Sequence, residues 1–128
     1  MSAIGNAASR VLVVEDEALV RLSMCEEIER AGFKVYEAHN ADEAIRLLEA
    51  NPDIQLIFTD VDMPGSMDGV KLAHYVRRRW PPVKIIVTSG HPHVTAEQLP
   101  NGSLFLSKPY YPEQVRQQIQ LLLNSTRN

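Results

Sequence analysis

Acidic residues follow two of the short apolar segments of this chain. Glu15 and Asp16 come directly after the first segment, and Asp60 and Asp62 follow the third. Clustered carboxylates repel one another, so at least one of their pKa values rises unless a cation lies nearby. Mg²⁺ relieves such repulsion, because it takes one or two carboxylates together with water and phosphate oxygens. The acidic residues therefore predict a site for a divalent cation.

A hydroxyl and an ammonium group follow two other apolar segments. Thr88 and Ser89 follow the fourth segment, and Lys108 and Pro109 come after the fifth. Each polar residue alone fits the hydrated end of a strand. Because carboxylates, a hydroxyl and an ammonium group all recur at this position, the pattern favours a functional site.

The apolar segments predict five strands. They are short, uninterrupted runs of Val, Ile, Leu and Phe, which is typical of strands buried on both faces of a parallel sheet. They cover residues 11–14, 35–36, 56–58, 83–87 and 104–106.

Helical spacing fills the gaps between the predicted strands. A first helix follows Glu17 and ends near Gly32, a residue suited to a helix C-terminus. A second begins at Asn40, which with Glu43 forms a capping-box pattern. A third begins at Gly69 and a last one at Pro112, since proline suits the first turn of a helix.

The fourth helix is predicted to be short or irregular. Thr95 and Gln98 form a capping pattern, but Pro100 ends the helix after about one turn. The alternation of strands and helices predicts an α/β fold with a doubly wound, five-stranded parallel sheet. Ligands of such sheets bind outside the carboxyl ends of the strands, which is where the polar residues lie.

Length, charge and cysteine content limit the protein class. The chain has 128 residues and a net charge of −3, which predicts one domain and argues against direct nucleic-acid binding. No apolar stretch approaches the roughly 18–20 residues of a membrane span. The first ten residues lack a secretory signal pattern. Cys25 has no partner for an internal disulfide, so we expect a reducing compartment, the cytoplasm.

Five motifs, taken together and in order, resemble the CheY-like receiver domain of two-component response regulators over nearly the whole chain. The resemblance implies the flavodoxin-like strand order 2-1-3-4-5, with a receiver domain over residues 10–124 between tails 1–9 and 125–128. It also implies that Asp60 accepts a phosphoryl group from a histidine kinase or a histidine phosphotransfer protein. The motifs are VLVVEDE at 11–17, LIFTDVDMP at 56–64, MDG at 67–69, IIVTSG at 85–90 and LSKPY at 106–110.

The same resemblance assigns the metal ligands. Mg²⁺, or Mn²⁺ in its place, would be held by Asp16, by Asp60 and by the backbone carbonyl of Asp62. Glu15 would act on the metal directly or through a bound water.

The remaining roles also come from the resemblance. Lys108 would pair with one phosphoryl oxygen and Thr88 would donate a hydrogen bond to another. Pro109 would follow a cis peptide bond, and Phe105 would be the aromatic residue of the switch. The protein would be a signalling phosphoacceptor rather than an enzyme, although family members assist their own phosphorylation and dephosphorylation.

Two parts of the sequence depart from the family pattern. The loop MPGSMDG is one residue longer than usual, and Gly65 and Ser66 can absorb the extra residue in a turn. The fourth-helix region is short, which weakens any transfer of the family's partner surface. His91 and His93 flank a proline there, and we expect them to be exposed rather than to bind metal.

Three functions compete at this point. The leading one is a stand-alone switch, since only a few residues follow the last helix; it would act on an unknown downstream protein. A homodimer would form through the face of the fourth helix, the fifth strand and the last helix. The second is a receiver from a larger regulator or a hybrid histidine kinase. The third, a flavodoxin-like binding protein or enzyme, lacks the glycine-rich phosphate loops such proteins carry after the first strand.

Overall fold

Five parallel strands form one sheet in the order β2-β1-β3-β4-β5, which confirms the predicted topology. A computed structural model describes residues 9–65, 67–90 and 94–124. The predictions for Ser66, for His91 and His93, and for tail residues 1–8 and 125–128 lie outside these ranges. The strands are β1 Arg10–Val14, β2 Lys34–Ala38, β3 Ile54–Asp60, β4 Lys84–Ser89 and β5 Leu104–Ser107.

Four α-helices cover the two faces of the sheet. One face packs against α1 and α4, and the other against α2 and α3. Within the described ranges, every helix is too short or too polar to cross a membrane. The helices are α1 Ala18–Arg30, α2 Ala41–Ala50, α3 Gly69–Arg79 and α4 Pro112–Asn124.

The helix ends follow local sequence signals. Gly32, directly after the C-cap of α1, has a φ of 101° that favours glycine. Asn40 caps α2 by accepting a hydrogen bond from the Glu43 amide at 2.8 Å. The predicted capping box is wrong in one detail, because Glu43 accepts from the amide of His39, one residue earlier. Asp68 caps α3 in the same way, accepting from the Lys71 amide at 3.0 Å.

A single 3-10 turn, Ala96–Gln98, stands in place of the fourth helix, as predicted. The side chain of Gln98 accepts a hydrogen bond from the Thr95 amide at 2.7 Å. Leu99 follows and is buried against the α2 and α3 face of the sheet. Burial of Leu99 and the proline after it therefore end this element after one turn.

Two apolar clusters, one on each face, hold the sheet in place. We call them the α2/α3 cluster and the α1/α4 cluster after the helices that contribute to them. Along β3, Ile57 belongs to the first cluster and Phe58 to the second. This alternation is expected, because successive side chains of a strand point to opposite faces. Both faces of the central strands are thus covered, and only their ends are left to form a site.

Strand register brings the polar residues to one edge of the sheet. Asp60 of β3 is paired with Thr88 of β4, and β4 ends one residue later at Ser89. The carbonyl of Ser89 accepts a hydrogen bond from the amide of Lys108 at 2.9 Å. The ends of β3, β4 and β5 therefore place a carboxylate, a hydroxyl and an ammonium group side by side.

Candidate functional site

An ion pair between Asp60 and Lys108 forms the centre of the site. Lys108 Nζ donates to Asp60 Oδ2 at 2.9 Å, and only 6% of the Asp60 side chain is exposed. Burial disfavours the ammonium form of Lys108, but the hydrogen bond and charge of Asp60, with the charge of Glu15, outweigh it. The pKa of Lys108 is therefore raised, and the lysine is a cation at any physiological pH.

The backbone around Asp60 is tightly held. Asp60 Oδ1 accepts a hydrogen bond from the Asp62 amide at 3.2 Å, and the Thr59 hydroxyl donates to the Asp60 carbonyl at 3.0 Å. The amide of Gly69, at the start of α3, donates a hydrogen bond to the carbonyl of Val61 at 2.9 Å. A Cβ atom on Gly69 would lie 2.1 Å from the Asp60 carbonyl oxygen. Only glycine therefore lets α3 begin this close to the end of β3.

Glu15 is a second buried carboxyl group beside Asp60. Its side chain accepts a hydrogen bond from the Glu17 amide at 3.0 Å, and Arg21 donates to its backbone carbonyl at 2.8 Å. Burial raises the pKa of Glu15 to about 7, against the Glu17 hydrogen bond and with help from the charge of Asp60. Hydrogen bonds with the Asp16 and Asp60 side chains act in the same direction. The carboxyl groups thus crowd together with more negative charge than Lys108 neutralises.

An open cleft of about 420 Å³ lies next to these carboxylates. Asp16 and Asp62 line it, and so does Asp68, the N-cap of α3. Within the described part of the chain, no three His, Cys, Asp or Glu side chains converge as a complete metal cage. Mg²⁺ needs no such cage, since it keeps several waters and takes one or two carboxylates. The oxygen donors around the cleft therefore fit Mg²⁺.

Thr88 and the residues of the fifth strand complete the site. Thr88 is 1% exposed and faces Asp60 across the β3–β4 pairing. The peptide bond between Lys108 and Pro109 is cis, the isomer that the resemblance implied. Phe105 is partly buried against the α2/α3 cluster. The structure thus brings Glu15, Asp60, Thr88 and Lys108 together and leaves Phe105 to one side.

Two residues near the site had no assigned role in the sequence analysis. Asp68 lines the cleft, and its place in the motif MDG just before a helix is a signal that could have found it. Tyr110 lies against Phe58, with ring centroids 6.3 Å apart and an interplanar angle of 79°. Nothing in the local sequence predicts this contact, because it joins β3 to a loop that follows β5.

Cys25 is the one cysteine of the chain and takes no part in the site. It lies on α1 and is buried in the α1/α4 cluster. Burial, with the charges of Glu37 and Glu29, raises the pKa of its thiol to about 12. A thiol that stays protonated is a poor nucleophile, so Cys25 is a packing residue.

A profile of the response regulator receiver domain matches residues 11–120. The chain belongs to this family. Receiver domains are signalling modules of two-component systems, phosphoryl transfer is their general function, and they generally bind Mg²⁺ at the phosphorylation site. They interact with histidine kinases or phosphotransfer proteins.

Relatives of this receiver domain include short and long proteins. It is 30% identical over 117 residues to the response regulator receiver protein CpdR of Brucella abortus, covering 89% of this chain and 96% of that protein. It is 33% identical over 118 residues to the transcriptional regulatory protein ResD of Bacillus subtilis, covering 90% of this chain but 48% of ResD. A receiver protein from Sinorhizobium medicae has a similar structure, with a TM-score of 0.86, 28% identity and coverage of 94% and 98%.

Proposed function

We propose that Asp60 is the phosphoacceptor of this receiver domain. The observation that carries the proposal is a buried carboxylate bonded to Lys108 at 2.9 Å, with Thr88 across the strand pairing. A lysine and a hydroxyl flanking a carboxylate are what a phosphorylated aspartate needs around its oxygens. Asp16, the other carboxylate suggested for metal binding, is exposed and has no such partners in the described ranges.

The chemical step uses Asp60 as a nucleophile. One carboxylate oxygen attacks the phosphorus of phosphohistidine, the phosphorus–nitrogen bond breaks, and an acyl phosphate forms. The imidazole leaves with the electron pair of that bond and takes a proton from solvent. Lys108 then moves from the free carboxylate to a phosphoryl oxygen, and Thr88 donates to another. Lys108 and Thr88 stabilise the phosphoryl group by charge and hydrogen bonding without reacting themselves. In this way the domain assists its own phosphorylation and dephosphorylation.

Asp16, Asp60 and the backbone carbonyl of Asp62 are the proposed metal ligands, with Glu15 acting directly or through water. Mg²⁺, or Mn²⁺, supplies charge neutralisation on the phosphoryl oxygens when it is bound. Glu15 must lose its proton to take part, and its pKa near 7 makes that proton easy to displace by a cation. The chain itself therefore contributes the ligands and a carboxyl group that responds to the metal's charge.

The phosphodonor is proposed to be a histidine kinase or a histidine phosphotransfer protein. Leu19 and Leu22 of α1 are 82% and 51% exposed, and three residues separate the end of β1 from the start of α1. Exposed leucines on the helix that follows the acidic end of β1 favour a protein donor over a small molecule alone. Such a donor places the protein in the cytoplasm.

The output side is the face formed by the 3-10 turn, β5 and α4. We propose that Phe105 on β5 changes its packing there when Thr88 moves, and that this face binds a downstream protein or a second copy of the chain. Size-exclusion chromatography with and without beryllofluoride would distinguish a downstream protein from a second copy of the chain. Only self-association shortens the elution time of the isolated protein.

The unit that carries this function is proposed to be residues 10–124, with tails at 1–9 and 125–128. The match covers 96% of CpdR and 48% of ResD, so receiver domains of this kind occur both in short proteins and as parts of longer regulators. The chemistry at Asp60 is the same in either case.

Phosphorylation of Asp60 is tested with acetyl phosphate and Mg²⁺, followed by intact mass spectrometry. We expect one acid-stable, base-labile phosphoryl group on the wild type and none on Asp60→Asn. Asp53→Asn, which removes an exposed carboxylate paired with Arg10, is the matched control and should label like the wild type. Full labelling of Asp60→Asn would reject Asp60 as the acceptor.

A further inference from the structure

The loop between β1 and α1 is held by hydrogen bonds on both sides of Asp16. The amide of Glu15 donates to the carbonyl of Ala38, the last residue of β2, at 3.0 Å. The amide of Glu17 donates to the side chain of Glu15 at 3.0 Å. Asp16 itself is exposed and lines the cleft. The position of its carboxylate therefore depends on how firmly this loop is held.

Arg21 of α1 fixes the same loop from the helix side. Its Nη1 donates to the backbone carbonyl of Glu15, the residue just before Asp16, at 2.8 Å. Its Nε donates to Glu37 Oε1 on β2 at 3.1 Å. The Arg21 side chain is 19% exposed and that of Glu37 46%. The rigid fork of the guanidinium thus joins two acceptors at once, and it ties the loop to the edge strand β2.

The charge of Arg21 has the wrong sign to attract a metal ion. A guanidinium repels Mg²⁺, so its direct electrostatic effect on a cation in the cleft is unfavourable. Asp16 and Asp62 line the cleft, whereas Arg21 does not. Arg21 can therefore help metal binding only through geometry, by holding the backbone from which Asp16 projects. Groups that hold a metal ligand from behind in this way have large effects on metal affinity.

We propose that Arg21 is a positioning residue that preorganises Asp16 for Mg²⁺ through the carbonyl of Glu15. Glu37 orients the guanidinium from β2, and the guanidinium fixes the loop. The inference rests on the proposed role of Asp16 as a metal ligand, and it goes beyond that role by assigning functions to Arg21 and Glu37. Removing such a partner of a metal ligand weakens metal binding by about tenfold or more.

The test is a titration of the full chain with MgCl₂ at constant ionic strength, followed by amide NMR shifts. Arg21→Met keeps the apolar stem and removes the guanidinium, and we expect it to bind Mg²⁺ about tenfold more weakly than the wild type. Arg30→Met is the matched control, because it removes the same charge from the same helix. The Arg30 side chain is 71% exposed and pairs with Glu27, so this variant should bind like the wild type.

The direction of the change separates geometry from charge. If Arg21 acted on the metal only through its charge, Arg21→Met would bind Mg²⁺ more tightly than the wild type. Tighter or unchanged binding would therefore overturn the proposal. Hydrogen exchange of the Glu17 amide in the metal-free protein gives a second readout. It should be faster in Arg21→Met and unchanged in Arg30→Met, and thermal melting of each variant checks that the fold is intact.

Glu37 offers a pair of variants with equal charge. Glu37→Gln keeps an oxygen that accepts from Arg21 Nε, whereas Glu37→Ala leaves this donor without its partner. We expect Glu37→Ala to bind Mg²⁺ more weakly than Glu37→Gln, and we expect the difference to vanish in an Arg21→Met background. Equal affinities of the two single variants would overturn the role of Glu37 in orienting Arg21.

A double-mutant cycle with Asp16 tests whether Arg21 acts through this carboxylate. In an Asp16→Asn background the positioned ligand is gone, so Arg21→Met should cause little further loss of Mg²⁺ affinity. An equal loss in both backgrounds would overturn the proposal for Arg21 alone. A wild-type protein that binds no Mg²⁺ at millimolar concentrations, or an Asp16→Asn variant that binds like the wild type, would instead overturn the proposed metal site.

Discussion

Asp60 and Lys108 are 48 residues apart in the chain and 2.9 Å apart in the fold. The pair is asymmetric, because the Asp60 side chain is 6% exposed and the Lys108 side chain 35%. A buried charge that loses its partner is strongly unfavourable, so the lysine is needed for stability before any phosphate arrives. When a phosphoryl group forms, the exposed lysine can follow the new negative charge. Different burial of the two residues thus suits a pair that must rearrange.

Asp16 provides a test of metal binding at the level of one residue. Asp16→Asn removes a charged oxygen donor from the cleft, so we expect Mg²⁺ affinity to fall about tenfold or more. Isothermal titration calorimetry at millimolar Mg²⁺ measures the change. Glu17→Gln removes a neighbouring exposed carboxylate whose side chain does not line the cleft, and it should lose far less. Equal losses in both variants would mean that the cation responds only to the general negative field.

The start of α3 shows how one element positions another. Its first residue, Gly69, lies so close to the end of β3 that an added Cβ would be 2.1 Å from the Asp60 carbonyl oxygen. Asp68 caps this same helix end and lines the cleft beside Asp62. The start of α3, the cleft and the end of β3 are therefore in direct contact with one another.

Gly69→Ala tests the packing of these two elements. Alanine favours a helix over glycine by about 1 kcal/mol, but here its methyl group must push the β3 end away. Overpacking of this kind costs about 1–3 kcal/mol, so we expect a net loss of stability in urea unfolding. Gly90→Ala is the control, since its Cβ would meet nothing nearer than 3.8 Å. A Gly69→Ala protein as stable as the wild type would contradict the close approach.

Two clusters on opposite faces of one sheet give the whole molecule its stability. The central strands separate the two clusters and contribute side chains to both. Ile57 faces α2 and α3, and Phe58 faces α1 and α4. The site at the carboxyl ends of the strands can change its hydrogen bonds while both clusters stay packed. Such a division suits a domain that switches between two states without unfolding.

Ile57→Ala measures how much a buried side chain of a central strand contributes to the free energy of unfolding. Ile57 is fully buried, so its loss should lower the free energy of unfolding by about 2–5 kcal/mol. Leu19→Ala removes a leucine that is 82% exposed and should change it by less than about 0.5 kcal/mol. Chemical denaturation followed by circular dichroism gives both values. A small effect at Ile57 would mean that the sheet does not form a shared core.

Local features of the fold were determined by the sequence itself. Apolar runs predicted all five strands, and the Thr95–Gln98 pattern before Pro100 predicted a fourth helix of one turn. Strand order came from the motifs and not from periodicity, because apolar spacing says nothing about which strands are neighbours. Signals of this kind succeed since a strand, a cap or a helix stop depends on a few adjacent residues.

Contacts between distant segments were decided only by the tertiary structure. The resemblance assigned the switch role to Phe105, which stays a prediction, and the structure shows where its ring lies, packed against the α2/α3 cluster. Tyr110 lies edge to face against Phe58, a contact that joins β3 to the loop after β5. Asp68 lines the cleft beside Asp16 and Asp62 because α3 starts against the end of β3. Side-chain direction depends on everything packed around it, and no short stretch of sequence carries that information.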